Sequence, residues 1–317
     1  MNVKLVNWFG GEHVDDLVLV ALQSICSVNF VQDVNEANIV VCTYHGLLKS
    51  TKPFYVHKLP WIRKFFQETK SKIQLRPDQV SLYVSAECPV WSRFLQSDCD
   101  FGVSHEFLPG TPNHLRLPFW YYSIDWSSKG VRNNSSIRLG EALHIQPESL
   151  TQPRDLIDHR SSERLAMISS HLNGFKSAFF NDIQKSFPID LAGGPHGKVN
   201  SKFVFLQDYL YSLCPENFIY PGYYTEKVLE AYACGTLPIT CLDKHAECDF
   251  NTQSYINLYR YIPSGLGNAL REVVSDKGLI RSLYQQPLFL TEPSIIPLLS
   301  LLEDVVSTAN KRSPCWV

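Results

Sequence analysis

Apolar residues along this chain alternate between two spacings, one that suits buried strands and one that suits helices. Residues 3–8 (Val-Lys-Leu-Val-Asn-Trp) read as a strand, and Phe9-Gly-Gly-Glu12 reads as the turn that ends it. Val14, Leu17, Val18, Ala21, Leu22 and Ile25 then recur three and four positions apart, which marks one face of a helix. A short strand at 28–31 and an apolar one at 39–43 follow, with further strands expected at 81–85 and around 99–103. Strand, helix, strand is the opening of an α/β domain built on a parallel sheet.

From Trp126 to about Arg164 the pattern lapses into serines, asparagines, two prolines and scattered charges, as in an inter-domain linker. Order returns with a strand at 165–169, a helix near 175–185 and a strand at 188–191 that runs into Ala192-Gly-Gly-Pro-His-Gly-Lys198. A helix near 201–208 and a strand at 209–214 lead into the segment Cys214–Ile239. That segment reads as a strand end, a Tyr/Gly/Pro turn, a helix that Thr225 is placed to cap, a stop at Gly235 and a second apolar strand. Leu266, Ala269, Leu270, Val273 and Val274 mark another helix, and 294–306 a final one. The expected organisation is two Rossmann-like α/β halves. One spans residues 1–160, with an irregular linker over 126–163, and the other spans 161–317, its last helix packing back on the first half.

Composition narrows the function classes. With 317 residues, 44% apolar and 19% charged, the chain has the make-up of a globular protein with room for two cores. A formal net charge of -2 argues against a general nucleic-acid binder. No run of apolar residues reaches membrane-spanning length, and the start of the chain lacks a basic region followed by an apolar one. A cytoplasmic protein is therefore expected, with a trimmed Golgi-type catalytic domain as the alternative. Nine cysteines, none in a zinc-type spacing, read as reduced and mostly buried thiols. The ten histidines show no ligand pattern, so no metal site is expected.

The chemistry concentrates at Glu226 and Lys227. Helix N-termini carry outward N–H groups and the positive end of the helix dipole, so they suit a phosphate. A lysine in the first turn opposes that dipole unless an anion lies nearby. The loop 217–225 sits at the carboxyl end of a strand, where ligands of open α/β sheets bind. A diphosphate there would meet Lys227, while Glu226, unsuited to phosphate, would face the hydroxyls of a sugar or ribose. Tyr223 and Tyr224 offer ring faces and phenol groups. Gly193-Gly-Pro-His-Gly-Lys198 is not a P-loop, since Ala192 stands at its first position and no Ser or Thr follows the lysine. Asp98-Cys-Asp100 has the D-x-D form that some enzymes use to hold manganese, but it lies in the N-terminal half, away from Glu226 and Lys227.

The segment resembles glycosyltransferase family 10, the alpha-1,3/1,4-fucosyltransferases. The hallmark of that family is matched by Pro215-Glu216-Asn217, by Tyr223-Tyr224-Thr225-Glu226-Lys227-Val228, by Ala231-Tyr232 and by Leu237-Pro238-Ile239. Weaker matches lie at Asn7-Trp8-Phe9-Gly10, at Val84-Ser85-Ala86-Glu87-Cys88 and at Leu115–Tyr121. The resemblance implies the GT-B fold, two Rossmann-like domains facing across a cleft with the donor held by the C-terminal one. It implies inverting transfer of L-fucose from GDP-fucose to a hydroxyl of an N-acetylglucosamine or glucose unit, alpha-1,3 in linkage, without a metal or other cofactor.

By the same resemblance, Glu87 would act as general base, and Lys227 would hold the diphosphate. Asn217 and Glu226 would contact the sugar portions of the donor, and Tyr223 the diphosphate or fucose. Lys176 would take the place of a phosphate-clamping arginine, keeping the charge but not its bidentate fork. Thr225 belongs to the same donor motif. Gly193, Gly194 and Lys198, together with Tyr224, are secondary donor-side candidates. Three departures from the family pattern stand out: Lys176 itself, Ala86 in place of a glycine, and Thr240-Cys241-Leu242 after the final Pro-Ile. The partners implied are a GDP-sugar and an oligosaccharide or glycoconjugate acceptor. Another GDP-sugar or acceptor, or a nucleotide-sugar-binding protein without catalysis, is the alternative.

Overall fold

The computed structural model describes residues 1–7, 16–43, 47–49, 71–85, 93–132, 145–155, 160–262 and 265–313. The expected turn at 9–12, Trp8, Ala86 and the base candidate Glu87 lie outside these. In chain order the elements are β1 (Asn2–Val6), α1 (Leu17–Ile25), β2 (Asn29–Phe30), β3 (Ile39–Cys42), β4 (Leu48–Lys49), β5 (Ser71–Lys72), β6 (Val80–Val84), β7 (Phe101–Ser104) and β8 (His114–Arg116). There follow β9 (Ser161–Ile168), α2 (Gly174–Ile183), β10 (Ile189–Ala192), α3 (Lys202–Leu206), β11 (Tyr209–Leu213), α4 (Glu226–Ala233), β12 (Leu237–Thr240), β13 (Ile256–Asn257), α5 (Leu266–Ser275), α6 (Lys277–Tyr284) and α7 (Ile296–Arg312).

They form two compact units, residues 1–117 with 296–317, and residues 118–295. The first unit is a six-stranded sheet in the order β2-β1-β3-β6-β7-β8, parallel throughout. Its strands β3, β6 and β7 are buried on both faces, as parallel strands covered by helices are. The Asp16 carboxylate caps α1 by accepting the Val18 N–H at 2.9 Å. Leu298, Leu302, Val305 and Ala309 recur along one face of α7 and are all buried, against α1, β3 and β6. At the end of that helix Arg312 pairs with Asp100 at 3.0 Å, and Asp100 also accepts the N–H and hydroxyl of Ser81. Asp100, half of the D-x-D sequence, is thus engaged in tying the last helix to the sheet.

The second unit is a five-stranded parallel sheet in the order β10-β9-β11-β12-β13. Side chains alternate across it. Leu165 and Met167 join the core under α2, α5 and α6, while Ala166 packs on the other face with Leu206 and Cys234. Residues 118–160, assigned from sequence to the N-terminal half, belong to this unit instead. The cause is aromatic and polar burial. Trp120 packs against Phe289 with tilted rings 4.8 Å apart, Ser123 donates to Glu230 at 2.7 Å, and the Arg154 guanidinium lies over the rings of Tyr232 and Tyr284. The described parts of the expected linker are likewise packed, with Trp126, Ile145 and Leu150 buried and a parallel bridge joining Ile124 to Ile145.

Candidate functional site: a cation-lined cavity at the strand ends of the second unit

The carboxyl ends of β9 and β11 and the first turns of α2 and α4 surround a cavity of about 320 Å³, with α3 along one side. Its walls bring together Lys176, Asn217, Glu226 and Lys227, four residues singled out from sequence, with Ser169 and Lys202. Met167, Leu206, Leu213 and Ala231 add an apolar part to the same lining. Charged and apolar groups in one cavity suit a ligand with an anionic end and a flatter, less polar one.

Lys227 is not the unbalanced charge that its position suggested. Its ammonium donates to Glu216 Oε2 at 2.9 Å and to the Thr225 hydroxyl at 2.6 Å, with Glu226 at 3.9 Å. Burial works against the charged form, but Glu216 and then Glu226 outweigh it and hold the ammonium above the ordinary lysine range. The anion that this first-turn lysine needs is therefore present in the fold. Thr225 stands at the N-cap position of α4, but its hydroxyl does not cap the helix. Glu216 draws it away, accepting both the Thr225 N–H and the hydroxyl at 2.7 Å.

Lys176 is the cation without such compensation. It lies in the first turn of α2, whose N-cap Asn173 makes no side-chain capping bond, and it is 7% exposed. Its ammonium donates to Ser169 Oγ at 3.2 Å and makes no ion pair among the described residues. Burial, then the neighbouring charge of Lys227, push it below the usual lysine value. Lys202, by contrast, is paired with the buried Glu230.

The other sequence candidates stand elsewhere. Tyr223 and Tyr224 are buried and do not line the cavity. Tyr223 accepts a long bond from Asn217 Nδ2 at 3.5 Å, and the Tyr224 hydroxyl donates to Asp243 at 3.1 Å. Gly193 and Gly194 also lie behind the wall. A Cβ on Gly194 would meet the Ser170 carbonyl oxygen at 2.5 Å, so the glycine-rich loop abuts the chain that carries Ser169. Lys198 is exposed and is not part of the lining. Glu216, in contrast, was quoted as a motif match without a role. Nothing in its spacing shows that it bridges to Lys227.

Residues 159–286 match the model of glycosyltransferase family 10 (fucosyltransferase), C-terminal domain. That stretch holds the whole cavity. An alpha-(1,3)-fucosyltransferase of Helicobacter pylori, FucT, is 22% identical over 82% of this chain. The chain spans about half, 54%, of the length of that relative. Solved alpha-1,3-fucosyltransferases are similar in structure. One with GDP-fucose matches with a TM-score of 0.64 at 17% identity, covering 96% of this chain and 90% of the other. One with GDP matches with a TM-score of 0.64 at 18% identity, covering 97% and 90%. The fold is therefore the GT-B fold of those enzymes, and the stretch that matches the family 10 model carries the second sheet.

Proposed function

We propose that this chain is an inverting fucosyltransferase that moves L-fucose from GDP-fucose to a hydroxyl of an N-acetylglucosamine or glucose unit in a glycan, with alpha-1,3 linkage. The observation that carries this reading is Lys176, a buried ammonium that makes no ion pair among the described residues and faces a cavity with Lys227 within the stretch that matches family 10. Burying a cation without a counter-charge costs stability, and a ligand anion offsets that cost. A diphosphate between Lys176 and Lys227 would be neutralised, and both lysines would stabilise the charge that grows on GDP as the glycosidic bond breaks. Glu226 and Asn217, on the same wall, are placed for sugar hydroxyls. The likeness to alpha-1,3-fucosyltransferases solved with GDP-fucose and GDP supports fucose as the group transferred.

In this reading Glu87 takes the proton from the acceptor hydroxyl as that oxygen attacks the anomeric carbon of fucose. One displacement inverts that carbon, and GDP departs without a covalent intermediate. Transfer of fucose from GDP-fucose to lactosamine-type acceptors tests the proposal. Wild-type protein should form a fucosylated product, and Glu87→Ala should lose turnover by at least about a hundredfold while binding GDP unchanged. GDP binding without transfer by wild type would favour a nucleotide-sugar-binding protein. Preference for another nucleotide sugar would move the donor assignment.

A further inference from the structure

Glu216 is the single charged residue between Cys214 and Thr225, and its side chain is 1% exposed. A carboxylate so deeply buried is stable only when its oxygens are paired. Here one oxygen accepts the Thr225 N–H, and the other accepts the Thr225 hydroxyl and the Lys227 ammonium, all at 2.7–2.9 Å. Residues 216 and 225 are the two ends of the loop that carries Asn217 and Tyr223. The same carboxylate thus joins the neck of that loop to a lysine on the cavity wall.

We propose that Glu216 is a positioning residue of the donor site: it fixes Lys227 Nζ on the cavity wall and closes the neck of the 217–224 loop, and so sets how strongly the site takes a diphosphate. This rests on the donor-site reading above. Two features separate it from a merely structural ion pair. The pair borders a cavity, since Lys227 is among its lining residues while its partner Glu216 is buried and is not. Thr225 also gives up its capping bond to join the cluster, so the helix start forgoes its usual satisfaction to keep the lysine in place. The groups facing the ammonium are Glu216 from the strand end, Glu226 on its own helix, Tyr223 from the loop, Lys176 from α2 and Cys214 below. Without Glu216 the nearest counter-charge is Glu226 at 3.9 Å, which leaves the long lysine chain free to swing.

The test is a double-mutant cycle on GDP affinity, measured calorimetrically with Glu216→Gln, Lys227→Met and the double variant. Glu216→Gln should weaken GDP about tenfold, the value of one well-placed charge-assisted hydrogen bond. Added to Lys227→Met it should cost clearly less than it does alone, because the larger share of its effect passes through the lysine and only the loop-neck share remains. Glu216→Asp, which keeps the charge, should recover part of the affinity. A Glu216→Gln protein that binds GDP like wild type, or whose loss adds in full to that of Lys227→Met, overturns the proposal. Wild-type protein that binds no GDP sinks the donor-site reading first, and this one with it.

Discussion

At the scale of single residues, the site is an exercise in where charges are balanced. Lys227 and Lys202 each have a buried carboxylate, and Lys176 has a serine hydroxyl. The diphosphate reading consequently rests on Lys176, although its first motive in the sequence was Lys227. The spacing Glu226-Lys227 shows a lysine at the wrong end of a helix. It does not show that Glu216, ten residues earlier and beyond a turn, supplies the missing anion. Lys176→Met should weaken GDP by about 10- to 100-fold, and Lys176→Arg should keep or improve it. The sign of the pH dependence follows from the lowered pKa of Lys176. A bound diphosphate favours the charged form, so GDP binding should take up a proton on the alkaline side, and affinity should fall as the pH rises through that lowered value. Calorimetry in two buffers of different ionisation heat, between about pH 8 and 10, reads both effects. Equal observed heats in the two buffers and a flat affinity would show that Lys176 does not face the anion.

At the scale of elements, the sequence pattern reaches far where periodicity is strong and fails where packing decides. The apolar runs that became β3, β6, β9 and β11, and the periodic stretches that became α1, α2 and α5, stand within a few residues of their expected places. β8 was missed because it is only three residues long and runs straight into Pro118 and a block of aromatics that do not alternate. α6 was missed because its buried Ile280, Leu283 and Tyr284 span only two turns. The helix cap at Thr225 was misread for a different reason: its residue type and position are right, but a buried carboxylate outbids the helix N–H groups for the hydroxyl. The glycine-rich loop after β10 illustrates an element that acts at one remove. Gly194 has φ +54° and no room for a Cβ against Ser170. Gly194→Ala should therefore push back the chain that carries Ser169, lowering stability by about 1–3 kcal/mol and weakening GDP through Lys176. Melting temperature and GDP affinity measured together check it, and a loss of stability with affinity intact would confine the loop to a scaffold role.

At the scale of the molecule, a parallel α/β architecture with two sheets was legible from the alternation of strand and helix patterns. The partition was legible only in part. The return of α7 to the first unit was expected, whereas residues 126–163 look like a linker in composition and 118–125 were placed in the N-terminal half, yet Trp120, Trp126 and Leu150 bury themselves in the second unit. Such partners lie more than a hundred residues apart, as Trp120 and Phe289 do, and local composition cannot pair them. Among the described residues, no helix is long and apolar enough to cross a membrane. The central claim is that the cavity of the second unit takes the diphosphate of a GDP-sugar between two helix starts. A crystal structure of the protein with GDP tests it most directly. The account predicts phosphate oxygens within hydrogen-bonding distance of both Lys176 Nζ and Lys227 Nζ, with Glu216 still bound to Lys227. GDP seated elsewhere, for example on the exposed Lys198 loop with Lys176 still bonded only to Ser169, would contradict it.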